Sequence, residues 1–211
     1  FTTAGTHTDG WTKPANVNAV LVYVTGAGGG GGGPGNSGDS GGGGGGGGTA
    51  IKWITSGLGA TETVTIGAGG TGAGTDDSTS GQYDVGGDGG TSSFGSHCSA
   101  TGGNGGNQGN SGNCYGGPGG IGSSGDINLA GSQGHRGVDT NASWQAQGNG
   151  GESFWGGAGS VNHYYHANLQ NTPSYYGSGG GGGSTMSDDT SSTEKGSDGG
   201  HGIIVVWEYI G

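Results

Sequence analysis

Positive charge is nearly absent from this chain. Lys13, Lys52, Arg136 and Lys195 are its only cations against fifteen acidic residues, for a formal net charge of −11 over 211 residues. So acidic a chain repels phosphate backbones, which argues against nucleic acid as a partner. Long apolar runs are missing too, since nowhere do the roughly 18 to 20 consecutive apolar residues needed to cross a bilayer occur, and membrane insertion is not expected. There is no basic start followed by an apolar stretch that would read as a signal peptide. The first residue is Phe rather than Met, which reads as a processed chain or a piece of a longer one. Only 26% of residues are apolar, so a conventional hydrophobic core must be small. Proline is scarce, with four residues, and the glycine phase breaks repeatedly, which excludes collagen. Cysteine is limited to Cys98 and Cys114. A disulfide between them is open at this point and would be worth about 3 kcal/mol in the chain-entropy picture, whereas zinc would require at least two further well-spaced ligands.

What the chain has in quantity is glycine, 64 residues of it. Outside the uninterrupted runs these often recur at every third position: Gly103, Gly106, Gly109 and Gly112; Gly116, Gly119, Gly122 and Gly125; Gly131, Gly134 and Gly137; Gly196, Gly199 and Gly202. A period of three matches neither the α-helix nor the strand, but it is the turn length of the polyproline II helix. That helix has no internal hydrogen bonds. Glycine lets several such rods approach until the N–H of one reaches the C=O of another. Glycine-rich sequence is usually a flexible linker. Here five Trp, eight Tyr and three Phe are interleaved with the glycine, and strongly β-prone segments at 19–24 and 203–210 bracket it. The expected fold is therefore mostly irregular and all-β, a bundle of packed polyglycine II helices with a small strand cap and no α-helix.

Strands are expected at 1–11, 17–25 and 203–210, with 50–55 and 61–66 forming a hairpin about the turn 57–60. Rods are expected at 28–33, 41–48, 67–74, 86–90, 102–112, 116–125, 131–137, 148–159 and 177–183. The whole of 1–211 reads as one domain, its cap built from 1–25, 50–66 and 203–210. If the first and last strands pair, both termini lie at one end and many of the connections gather at the other.

Those connections are polar, acidic and aromatic, and loops on a rigid scaffold are where recognition usually resides. The candidate binding residues are Asp76, Asp77, Tyr83, Trp144, His163, Tyr164, Tyr165, His166, Tyr175 and Tyr176. Trp and Tyr supply large contact area with few rotors and a polar handle. Their Asn, Asp and Gln neighbours suit sugar rings or the loops of an outer-membrane protein. Phe94, Phe154 and Trp155, set directly against glycines, are expected to pack inward. No catalytic constellation emerges: no nucleophile elbow followed by a helix can be placed. The acidic pairs Asp76–Asp77 and Asp188–Asp189 read as solvated loop residues rather than a hydrolase pair or a calcium site. His163 and His166 alone do not make a metal site. Neither an enzyme nor a cofactor is expected.

Several motifs resemble a known family. They are Phe1-Thr-Thr-Ala-Gly-Thr-His-Thr8 with Trp11 and Pro14, the run from Val20 into Gly28 to Gly33, Gly41 to Ile51 leading into a strand, Gly89-Gly-Thr-Ser-Ser-Phe-Gly95, Gly125-Asp-Ile-Asn-Leu129, Gly151-Glu-Ser-Phe-Trp-Gly-Gly157 and Gly202-Ile-Ile-Val-Val-Trp-Glu-Tyr209. In this order they resemble the glycine-rich domain at the C-terminal end of bacteriophage tail fibre proteins, similar to the polyglycine II sandwich of distal adhesins. The resemblance implies a virion tip domain that holds a bacterial outer-membrane protein or surface glycan through loops and joins the fibre shaft through its N-terminal end, with homo-oligomerisation left open. Two other classes stand beside it. One is a structural filament or matrix subunit, which needs a self-complementary surface; the other is an ice-binding protein, which needs a flat, regular Thr or Ala face.

Overall fold

The computed structural model describes residues 1–35, 39–74, 85–109, 114–138, 147–159, 175–183 and 195–211. Among them there is no α-helix. The strands are β1 (Gly5–Thr12), β2 (Val17–Thr25), β3 (Thr49–Ile54), β4 (Thr61–Ile66), β5 (Ser92–Phe94), β6 (Cys98–Ala100), β7 (Gly122–Ser123), β8 (Ile127–Leu129) and β9 (Ile203–Ile210). They form two sheets of order β1-β4-β5-β6-β7 and β8-β3-β2-β9, every pairing antiparallel. Period-two alternation positions the core: Val20, Val22 and Val24 of β2 are fully buried, while Leu21 and Tyr23 between them face the other way. The buried faces of the two sheets meet in one cluster that includes Trp11, Val64, Phe94 and Ile204. Trp11 packs edge-on to Phe94 and donates its indole N–H to Glu208 at 2.9 Å. Each fully buried valine contributes about 1.5 kcal/mol or more, so this small core is a firm anchor.

Two expectations about strand pairing are corrected. Segments 50–55 and 61–66 do not make a hairpin, because β3 pairs with β2 and β8 whereas β4 pairs with β1 and β5. The turn between them carries the chain from one sheet to the other. The first and last strands do not form a ladder either. β9 pairs with β2; of the described residues in the first segment Phe1 alone bonds to the β9 backbone, exchanging two bonds with Ile204, and Trp11 of β1 reaches it through its side chain. Both termini still lie at the strand end.

Beyond the sheets the chain runs in rods at 26–35, 41–48, 67–74, 85–91, 101–109, 114–121, 131–138, 147–152, 177–183 and 195–202, numbered here rod 1 to rod 10. The donors of rod 1 sort by threes. Gly26, Gly29 and Gly32 donate to rod 2, Ala27 and Gly30 to rod 4, Gly28 and Gly31 to rod 10. Its carbonyls accept from rods 3, 5 and 9 on the same period. Rod 1 therefore has six neighbours, three as donor and three as acceptor. Rod 2 does the same, donating to rods 5, 7 and 9 and accepting from rods 1, 6 and 8. The other eight rods form a closed ring of bonded neighbours around this pair, a hexagonal patch with two centres.

Such a lattice leaves no room for a Cβ at its heart. One built on Gly30 would land on the carbonyl of Thr71, one on Gly31 on that of Gly181, and one on Gly44 on that of Gly29. Ordering glycine costs more entropy than ordering any other residue. Here every N–H from 26 to 32 and from 41 to 48 has a carbonyl partner on another rod, each bond worth about 1 kcal/mol net and costly to leave unmade.

Outer rods repeat the period in side chains. Thr101, Asn104 and Asn107 on rod 5, Tyr115, Pro118 and Ile121 on rod 6, Ser132, His135 and Val138 on rod 7, and Lys195, Asp198 and His201 on rod 10 are all exposed. Where an outward N–H has no further rod to meet, a side chain next door accepts it: Asp198 from Gly72 at 2.7 Å, His201 Nδ1 from Gly69 at 2.9 Å, Asp88 from Gly105 at 2.9 Å. The tenth rod was not among the expected ones, and β5 to β8 are too short for periodicity to announce.

Candidate recognition surfaces

The bundle has two unlike ends. At the end away from the sheets, the chain leaves rods 1, 3, 5, 7 and 9 at positions 35, 74, 109, 138 and 183 and re-enters neighbouring rods near 39, 85, 114, 147 and 195. Five connections thus depart from one face of the lattice. Among the described residues there, Val85 and Val138 are exposed, and the guanidinium of Arg136 lies 5.4 Å from the centre of the exposed Tyr115 ring. Arg136 brings one of the chain's four cations to this end, held against an aromatic face. Asp76, Asp77, Tyr83 and Trp144 fall on connections that depart from this end and lie outside the described residues.

The remaining candidates belong to a different place. His163, Tyr164, Tyr165 and His166 also lie outside the described residues. The chain enters their stretch after Gly159, which is bonded to Gly150 and Gly179 part-way along the rods, and returns from it at Tyr175 beside the sheets. Tyr175 and Tyr176 are exposed as expected, but they sit at the strand end, not among the five connections. Tyr175 lies against Gly156, where an added Cβ would touch its ring, and the carbonyl of Tyr176 accepts from the Ser153 hydroxyl.

At that strand end the outward face of the second sheet is apolar and aromatic. Alternation along β3 and β9 turns Trp53, Trp207 and Tyr209 outward, with 43%, 59% and 46% of their surfaces exposed. Trp53 and Tyr209 meet edge-to-face at 4.6 Å across β2. Tyr23 of β2 touches both Phe154 and Trp155, at 5.9 and 5.7 Å between ring centres. Ile127 and Leu129 of β8 extend the face and are exposed as well. Phe94 packs inward as expected, but Phe154 does not and belongs to this outer face; Trp155 is half-buried and donates its indole N–H to Thr25 at 2.8 Å. Sequence reasoning missed Trp53, Trp207 and Tyr209. The alternation was available in Ile51 to Trp53 and in Val205, Trp207 and Tyr209, but β9 is apolar at nearly every position, which reads as a strand covered on both faces.

The disulfide left open above is not formed. Both thiols are free and buried, Cys98 in β6 within the core and Cys114 at the start of rod 6. Rods 5 and 6 bond to one another from Thr101–Ile121 at the sheet to Asn107–Tyr115 at the far end, which separates the two cysteines by the length of a rod. Eight such residues span about 25 Å, far beyond the roughly 7 Å between Cα atoms that a disulfide tolerates. Burial pushes the Cys98 thiol up to about 11. Among the described residues no group of three or more His, Cys, Asp or Glu side chains is placed to hold a metal ion.

Comparison with known families matches the chain, over residues 2–209, to one described as a glycine-rich domain. Comparison with curated proteins gives no match.

Proposed function

The chain belongs to the glycine-rich domain family, and from that premise we propose that it is the receptor-recognition tip of a bacteriophage tail fibre. The observation that carries this reading is the departure of five connections from one end of the lattice, opposite the end that holds both termini. A stiff bundle whose connecting segments leave from one face suits display to a surface, and the terminus-bearing end suits attachment to a shaft. The motifs of 1–8, 89–95, 151–157 and 202–209 favour the tail-fibre setting, hence a virion location outside the host. In this reading Asp76, Asp77, Tyr83 and Trp144 contact the receptor, an outer-membrane protein or a surface glycan, and the domain binds without catalysing. His163, Tyr164, Tyr165, His166, Tyr175 and Tyr176 form a separate group, because their stretch returns to the lattice beside the sheets.

Attachment of the purified domain to host cells tests this. Tyr83→Ala with Trp144→Ala lowers cell binding at least about tenfold, the loss expected for two aromatic hot spots, while the melting temperature stays within about 4 °C. Trp207→Ser at the opposite end leaves cell binding unchanged. Equal binding by all variants defeats the assignment. The apolar outer face of the second sheet favours one other reading, a filament subunit, which assembles on size exclusion where a tip domain elutes as a discrete species.

A further inference from the structure

β9 is an edge strand whose inner side is bonded to β2, and of the described residues only Phe1 bonds to its outer side. The Phe1 ammonium donates to the Ile204 carbonyl at 2.7 Å and the Ile204 N–H donates to the Phe1 carbonyl at 3.0 Å. That reciprocal exchange is one rung of an antiparallel ladder. Residues of a strand alternate in the edge they face, so Val206 and Glu208 turn their N–H and C=O groups to the same open side as Ile204. An exposed edge of this kind is a template for another strand.

We propose that the outer edge of β9 is a strand-acceptor site, and that its occupant is an extended segment covalently joined to the Phe1 nitrogen. Phe1 fixes direction and register: the residue two before it faces Val206, and the residue four before it faces Glu208. A second copy of the chain fits poorly. The antiparallel two-fold pairing left open beside Phe1 sets Glu208 directly opposite its own counterpart, and like charges in that position destabilise. The edge thus specifies its guest. Opposite Glu208 it takes a basic or hydroxyl side chain, opposite Val206 a small apolar one, and on the outer face beside Val205 and Trp207 β-branched residues. The proposal holds whatever surface the opposite end recognises.

Hydrogen exchange at the Val206 and Glu208 amides tests it. Extending the chain before Phe1 with Lys-Val-Val-Thr slows exchange at both amides about tenfold or more relative to the 211-residue chain. Replacing the second of the two valines by proline, which removes the donor to the Val206 carbonyl and sets the proline ring against the edge, weakens the pairing and lowers the protection of both amides while the β2 amides stay protected. Unchanged exchange on extension, or equal protection by the proline version, overturns the proposal. Protection that rises with protein concentration in the unextended chain places a second copy on the edge and overturns the choice of occupant.

Discussion

The hydroxyl oxygens of Thr25 and Thr49 lie 2.8 Å apart at the foot of the two central rods, and the indole N–H of Trp155 donates to the first of them. Both threonines are fully buried and opposite one another in the β2–β3 ladder. They are the last residue before rod 1 and the first after rod 2, so their bond closes the base of the pair that every other rod surrounds. Thr25→Val keeps the shape and removes the oxygen, leaving the Thr49 hydroxyl and the Trp155 N–H without this partner. The expected cost is about 1–3 kcal/mol, read from urea denaturation, with Trp155 emission moving to the red.

Glycine in the lattice and glycine outside it should behave as different residues. A Cβ at Gly30 falls on the Thr71 carbonyl and one at Gly106 on that of Gly42, so Gly30→Ala and Gly106→Val leave little folded protein. At Gly157 nothing lies within 4 Å and the backbone is not left-handed. Gly157→Ala therefore changes stability by less than about 0.5 kcal/mol. Thermal melts of the three proteins separate the cases, and a normally folded Gly30→Ala protein contradicts the lattice.

The two cysteines should differ from a bonded pair under both reduction and alkylation. Reduction leaves the melting temperature unchanged, and iodoacetamide at pH 8 labels neither thiol until the chain is unfolded, when it labels both. The Cys98 thiol, raised from 9.0 to about 11 by burial, is neutral in the fold over the range where it begins to ionise in the unfolded chain. Its contribution to stability is fully present below pH 9 and is lost as pH rises from 9 through about 11. Denaturation midpoints across that range check the sign: Cys98→Ala flattens the decline.

The aromatic outer face of the second sheet should report itself by dye binding. The folded domain enhances the fluorescence of an anilinonaphthalene dye at neutral pH, as an exposed apolar patch does. Trp53→Ser with Trp207→Ser removes more than about half of that signal and leaves the urea midpoint nearly in place, since both rings are turned away from the core.

Much of this architecture is legible in sequence, because the rods write their period into it. Gly103, Gly106 and Gly109 all donate to rod 1, and Gly131, Gly134 and Gly137 all donate to rod 6. In these rods the step of three in glycine is a list of contacts with one neighbour, whereas in the stretch expected as a rod at 116–125 the step runs past the end of rod 6, placing Gly122 in β7 and Gly125 in the turn after it. β2 was equally clear from its apolar run, spanning Val17–Thr25 as expected. Partner choice was not legible. Periodicity locates β3 and β4 but says nothing of which strand each meets, so a short turn between them reads as a hairpin when it is a crossing between sheets. Rod 10 was not placed as a rod although Gly196, Gly199 and Gly202 keep the step of three, because only this short stretch separates the polar segment ending at Lys195 from the strand at 203–210. Lys195, Asp198 and His201 are its solvent-facing ridge. The exposure of Trp207 and Tyr209 was hidden for the opposite reason, since a strand apolar on both faces does not declare which is covered.

The sorting of donors by threes has a consequence for how such a chain changes over time. Three residues added within rod 1 return the following peptides to the same neighbouring rods, one turn further along: Gly29 would take the place of Gly32, whose N–H also meets rod 2. One residue added ahead of Gly29 turns its N–H from rod 2 toward the direction in which Gly30 meets rod 4, and misdirects each peptide after it. The connections that leave the lattice obey no such arithmetic and are free to vary in length. The fold thereby carries a reading frame of its own, in which amino acids are counted in triplets.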